Sequence, residues 1–279
     1  MAFAQMQGKL LSSGGVSIHQ GRLVAMTAAA GSIASSIPAG PAVSSVFAYR
    51  QYRRHGADEA LAGWTLIATL VTSALGLSLL ATAGLALAER QGAAFDLIGV
   101  TVGVLFVTVI ATAVLWQRRA LSRVGLAILR FLRRMTGHPR RHEAEVLAGI
   151  MSRLGRVSLG WRDFTTALAW SVANWSFDCA CLACGYLAVH AGIPWRALLL
   201  AYGAGQLASN LPITPGGLGV VEGSLTIALV AYGGAQASTV GAVLLYRIVS
   251  FWGFLPVGWL SYLGIVLRDR RADRLRARP

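Results

Sequence analysis

The chain has 279 residues with a formal net charge of +14; 55% of its residues are hydrophobic, only 13% are charged, and its mean hydropathy is +0.59. Soluble domains run near a quarter charged, so this composition excludes an ordinary soluble enzyme and reads as an integral membrane protein. The excess of arginine does not read as a nucleic-acid surface, because the arginines cluster at the ends of apolar segments without interleaved aromatics, as cytoplasmic loops do.

In chain order, Met1 to Gln20 is polar-leaning and lacks the charged start, apolar run and small-residue site of a signal peptide. The apolar stretch from Leu23 to Tyr49 is interrupted by Pro38-Ala39-Gly40-Pro41, so it reads as half-length or re-entrant pieces. Arg50, Arg53 and Arg54 follow. Two segments suited to roughly 30 Å of hydrocarbon come next, Ala60 to Ala88 and Phe95 to Trp116. The turn between them, Glu89 to Asp96, has Arg90 as its single base and is expected outside. Eleven arginines then fall between Arg118 and Arg162. There Leu121, Val124, Ile128, Phe131 and Met135 share one helical face, and Arg119, Arg123, Arg130 and Arg134 another, which predicts a helix lying on the anionic leaflet. His138 and His142 have no further ligands at metal-binding spacing, and no metal or other cofactor is expected.

Further spans are predicted at Thr165 to His190, Trp195 to Leu211 and Ser238 to Leu267. Between the last two lies Pro212-Ile213-Thr214-Pro215-Gly216-Gly217-Leu218-Gly219-Val220-Val221-Glu222, followed by a half-length piece to Ala231. Two prolines and three glycines cannot continue a helix. Lipid-exposed irregular backbone is prohibitively costly, so this loop is expected to be buried in protein or to line a wet cavity. Six arginines from Arg268 to Arg278 close the chain on the cytoplasmic side.

Counting spans from those basic stretches makes the first proline loop enter from the cytoplasm and the second from outside, so the two face each other. Ser35-Ser36-Ile37-Pro38-Ala39-Gly40-Pro41 echoes Ser209-Asn210-Leu211-Pro212-Ile213-Thr214-Pro215. The expected fold is therefore all-α and polytopic, with two inverted halves and proline-broken helices in a single membrane domain, residues 1–279. Residues 1–116 form the first half, 117–163 the basic amphipathic linker, 164–267 the second half and 268–279 a basic tail. The second half has a full span before its loop and the first does not. Either that helix is dispensed with or an upstream extension supplies it.

Candidate site residues follow from the cost of intramembrane charge, at least about 2.5 kcal/mol unless partnered. Glu222 begins a half-helix after the glycines, and Arg247 in the last span is the nearest cation in sequence. Their pairing would hold the hairpin to that span, or open to receive a zwitterionic or cationic headgroup. On the Thr165 segment Ser171, Asn174, Asp178, Cys181 and Gly185 recur at three- and four-residue steps and share a face. That stripe is a packing seam or a cavity wall, and Asp178 favours the wall. Gln206 and Asn210, four residues apart, would continue the wall or link helices by hydrogen bonds, and Thr214 in the loop is a further candidate for the headgroup cavity. The loops themselves are carried by Pro38, Gly40, Pro41, Pro212, Pro215, Gly216, Gly217 and Gly219. Helix N-H groups after Gly219 suit a lipid phosphate. Cys179, Cys181 and Cys184, in an apolar helix and only three in number, read as packing thiols.

Ile37-Pro38-Ala39-Gly40, the string from Ser209 to Glu222 and Leu245-Tyr246-Arg247 together resemble the lysylphosphatidylglycerol synthase transmembrane family, also called the flippase-like domain, over nearly the whole chain. The resemblance implies a multi-pass protein of the bacterial inner membrane that moves a phospholipid or lipid-linked substrate between leaflets, with membrane lipids as its partners. The family's best-understood members make that lipid in a separate aminoacyltransferase domain, and the short tail here leaves no room for one. A lipid-modifying enzyme is thus a candidate partner, a homo-oligomer is compatible with the reading, and no nucleic acid is expected. No catalytic motif is found. The alternatives are a polyprenol-dependent transferase using Asp178 and Glu222, or a non-transporting scaffold for a lipid-modifying enzyme.

Overall fold

The computed structural model describes residues 1–37, 39–88, 160–209 and 214–276. The expected Phe95 to Trp116 span, its outer turn, the basic linker helix with His138 and His142, and Pro38, Asn210, Leu211 and Pro212 lie outside the described residues. Among the described residues the secondary structure is helical, with no strand. The helices are α1 (Ala2–Ser13), α2 (Gln20–Ser36), α3 (Gly40–Arg54), α4 (Glu59–Ala88), α5 (Trp161–Ala188), α6 (Trp195–Ser209), α7 (Val220–Ala231), α8 (Gln236–Arg247) and α9 (Phe254–Arg276).

The chain divides into two compact units that interleave along it. Of the described residues, the first contains 1–20, 46–82 and 160–175, and the second contains the rest.

In the first unit the polar-leaning N-terminal stretch folds as α1, about 18 Å long, and buries Met6, Leu10 and Leu11. Lys9 on α1 pairs with Asp163 on α5 at 2.9 Å. Asp58 starts α4 by accepting the Leu61 N-H at 2.7 Å, an N-cap that fits the chain's turn at Gly56. Ser171 is buried against α4 where Gly76 has no side chain, and the Trp175 indole N-H donates to the Ser73 carbonyl at 2.9 Å. The N-terminal end of the small and polar stripe on α5 is therefore a packing seam.

The second unit carries both broken helices. Chain direction changes between α2 and α3, where Ala39 takes a positive φ of 56°, and Pro41 occupies the first turn of α3, where its missing N-H removes no intrahelical bond. The last residues of α2 pack closely on α9. Ser32 Oγ donates to the Leu255 carbonyl at 3.2 Å, the Trp259 indole N-H donates to Ser36 Oγ at 3.1 Å, and Gly258 lies against Ser32 and the Ala28 carbonyl. Small residues bring these helices together as they do in membrane bundles. Gly185 does the same on α5, against the Ala242 carbonyl of α8.

Two apolar stretches are long enough to cross a bilayer among the described residues, Glu59–Gly84 in α4 and Gln236–Arg271 through α8 and α9. The second leaves Leu244, Leu245, Ile248, Val249, Trp252, Val257, Leu260, Leu263 and Leu267 exposed, a surface that lipid and not water would cover. The span predicted from Ser238 to Leu267 is thus a single helical stretch. Within it, between α8 and α9, lies a π turn at Ile248–Trp252, closed by the Gly253 N-H on the Ile248 carbonyl at 2.7 Å. The segment expected from Trp195 is helical as α6 over all its described residues, Trp195–Ser209, about 22 Å. It packs against α7, which is about 18 Å long.

Gly258→Val should push α2 and α9 apart at a cost of about 1–3 kcal/mol, seen as a lower melting temperature of the detergent-solubilised protein. Gly264→Ala, six residues further along the same helix where nothing lies within 4 Å, should not lower that temperature.

Candidate functional site

The break before α7 is built from residues that no regular helix accepts. Pro215–Gly217 form one short 3-10 turn, and Gly216, Gly217 and Gly219 have φ values of 63°, 67° and 83°. Left-handed backbone favours glycine, and at Gly216 a side chain is excluded twice over: any Cβ would meet the Phe251 ring and the Ser35 carbonyl oxygen. The second proline loop thus touches the end of α2 beside the first. Thr214 turns its hydroxyl to the Leu218 carbonyl at 2.9 Å, so it braces the loop.

Glu222 and Arg247 meet across this loop. Arg247 Nε donates to Glu222 Oε1 at 2.6 Å, and the pair is largely sealed off, with side-chain exposures of 10% for Arg247 and 20% for Glu222. Each also satisfies loop backbone. Glu222 Oε2 accepts the Gly219 N-H at 2.7 Å, the carboxylate half of a capping box in which Gly219 has no side chain to return the bond. Arg247 Nη2 donates to the Gly216 carbonyl at 3.0 Å, and its guanidinium carbon lies 4.5 Å from the centre of the Phe251 ring. The π turn begins immediately after Arg247. Glu222 occupies the positive end of α7, the place that the sequence assigned to a lipid phosphate.

A second cluster forms around Asp178. Its Oδ2 accepts the Tyr202 hydroxyl, the Tyr246 hydroxyl at 2.7 Å and Gln206 Nε2 at 3.3 Å; Gln206 Nε2 also reaches the Tyr246 hydroxyl at 3.3 Å. These groups come from α5, α6 and α8. Tyr186 and Thr239 join α5 to α8 nearby through a buried hydroxyl pair at 3.0 Å.

Of the sequence-predicted residues, the structure joins Glu222, Arg247, Gly216 and Gly219 at one centre and Asp178 with Gln206 at another. Asn174 is half-buried one turn before Asp178 and makes no side-chain hydrogen bond to a described residue. Cys179 is buried, Cys181 half-buried and Cys184 exposed, and all three are free thiols. Tyr202, Tyr246 and Phe251 were missed as site residues. Tyr202 stands four residues before Gln206, the spacing of one helical face, and that signal would have found it.

A broken helix whose break is closed by an acid and a base defines a class: α-helical domains whose irregular backbone is held by protein side chains. The chain belongs to the family described as the lysylphosphatidylglycerol synthase TM region, whose model matches residues 8–258. It is therefore a membrane protein of lipid metabolism or transport. No curated protein and no solved structure matches it.

Arg247→Leu should destabilise the domain by about 3–5 kcal/mol, because it leaves the Glu222 carboxylate and the Gly216 carbonyl unpaired. The double variant Glu222→Leu with Arg247→Leu should recover part of that loss in the same thermal unfolding measurement, as expected when an uncompensated charge carries most of the cost.

Proposed function

We propose that this chain is a lipid translocator of the bacterial cytoplasmic membrane that moves a phospholipid or lipid-linked substrate between leaflets, with the Glu222–Arg247 centre as its headgroup site. The supporting observation is the pair itself. A charged pair that closes a broken helix puts a switchable polar centre where a carrier needs one. Arg247 uses Nε and one Nη2 hydrogen for the contacts described, and a guanidinium has five N-H donors, so donors remain for a phosphate.

In this reading the lipid phosphate competes with Glu222 for Arg247, and a headgroup amine is drawn to the released carboxylate. The two proline loops belong to inverted repeats and act together; the approach of Gly216 to the Ser35 carbonyl supports that pairing. Arg268, Arg270, Arg271 and Arg274 are exposed at the end of α9, which supports a cytoplasmic C-terminal end by the positive-inside rule. A lipid-modifying enzyme would be the partner that supplies the substrate.

The test separates a carrier's pair from a purely structural one. In vesicles containing the full chain and a fluorescent phospholipid, Glu222→Gln keeps the side chain's length and an acceptor oxygen for Arg247 while removing the carboxylate charge. The expected result is at least a tenfold slower movement between leaflets at unchanged folded yield. Undiminished movement would assign the pair to structure alone. Recovery of a covalently altered lipid from the wild-type vesicles would replace the carrier by a transferase.

A further inference from the structure

The two membrane acids are satisfied in opposite ways. Glu222 is neutralised by Arg247. Asp178 receives two phenol hydroxyls and one amide, all uncharged, and among the described residues no lysine, arginine or histidine bonds to it. The titratable groups facing it are Tyr202 from α6, Tyr246 from α8, and Cys179 and Cys181 on its own helix. None of these carries a compensating positive charge.

The three donors share one oxygen. Each bonds to Oδ2, which leaves Oδ1 of this half-buried side chain without a donor among the described residues. We propose that Asp178 is a proton-binding site of the membrane domain, with Oδ1 as the atom that takes the proton. A proton from water adds to Oδ1 and makes a neutral carboxylic acid, while Oδ2 becomes its carbonyl oxygen and keeps all three hydrogen bonds. No contact of the frame has to break. A metal cation fits poorly, because sodium-like ions take about six oxygens and the cluster offers one free carboxylate oxygen and two phenols already committed as donors. Acidic residues within membrane segments are recurrent elements of proton relays. Tyr202, Tyr246 and Gln206 are positioning residues: they hold Oδ2 so that protonation changes charge and leaves the geometry alone.

Coupling of this site to lipid movement rests on the translocator reading; protonation itself does not. The first experiment therefore reads the proton directly, by infrared difference spectroscopy of the full chain in phosphatidylethanolamine–phosphatidylglycerol vesicles as pH is lowered. A protonated-carboxyl C=O band should appear in the wild type and be lost in Asp178→Asn. Because hydrogen bonds to a carbonyl lower its stretching frequency, Tyr246→Phe should move that band upward, a shift that keeps the assignment testable should Asp178→Asn fail to fold. Absence of an Asp178-dependent band, or a band that Tyr246→Phe leaves in place, overturns the proposal. So does a band suppressed at constant pH by sodium ions or by ethanolamine, which would make that cation the occupant. In the same vesicles an imposed pH gradient should speed movement of a fluorescent phospholipid severalfold in the wild type and have no effect in Asp178→Asn. With the band present, a wild-type rate indifferent to the gradient overturns the coupling role, and no lipid movement in any vesicle sinks the translocator reading while the proton site stands.

Discussion

The rest of the second unit depends on how a helix is stopped and restarted inside a membrane domain. Stopping it strands backbone groups that lipid cannot satisfy, each at a cost of several kcal/mol. Here the Gly216 carbonyl and the Gly219 N-H are claimed by Arg247 and Glu222, which in turn bind each other. One ion pair therefore satisfies four polar groups at once. It also ties three elements together, the glycine loop, α7 and the end of α8, so that displacing any one loosens the others.

The packing around the break reinforces it. Phe251 lies under the Arg247 guanidinium and also fills the space that Gly216 leaves open, so one ring supports both the cation and the turn. The π turn at Ile248–Trp252 falls at the same place in the chain. Such insertions alter the register of a helix where function requires an unusual side-chain direction. On the other side of Gly216 is the Ser35 carbonyl of α2, whose last turns are fastened to α9 through Ser32, Ser36, Trp259 and Gly258. The two proline loops are neighbours within one compact unit although far apart in sequence.

Asp178 shows the other solution to the same problem. Its charge is met only by dipoles, from Tyr202, Tyr246 and Gln206, and Tyr246 stands next to Arg247 in the chain. Consecutive residues of a helix point about 100° apart. Two adjacent residues of α8 therefore serve two different acids. A displacement of α8 would be felt at both centres, which gives the fold a route between the headgroup site and the proton site proposed above.

Much of this was legible in the chain itself. Hydropathy and length alone determined an all-helical membrane domain and the start of α4 to within a residue, because burying apolar surface and satisfying backbone in lipid leave few alternatives. The prolines and glycines announced where helices must break, since their backbone limits hold in any context. Insertion cost singled out Glu222, Arg247 and Asp178. What only the tertiary structure decided was who meets whom. The span from Ser238 was legible as one apolar stretch, but the π turn inside it is announced by no local pattern. Likewise Tyr202, Tyr246 and Phe251 look like ordinary membrane aromatics, and their roles arise from contacts 24 to 68 residues away for the tyrosines and from a ring laid between Arg247 and Gly216 for the phenylalanine. Sequence patterns report what each residue costs in lipid; the partner that offsets the cost is supplied by another helix, and that pairing exists only once the chain has folded.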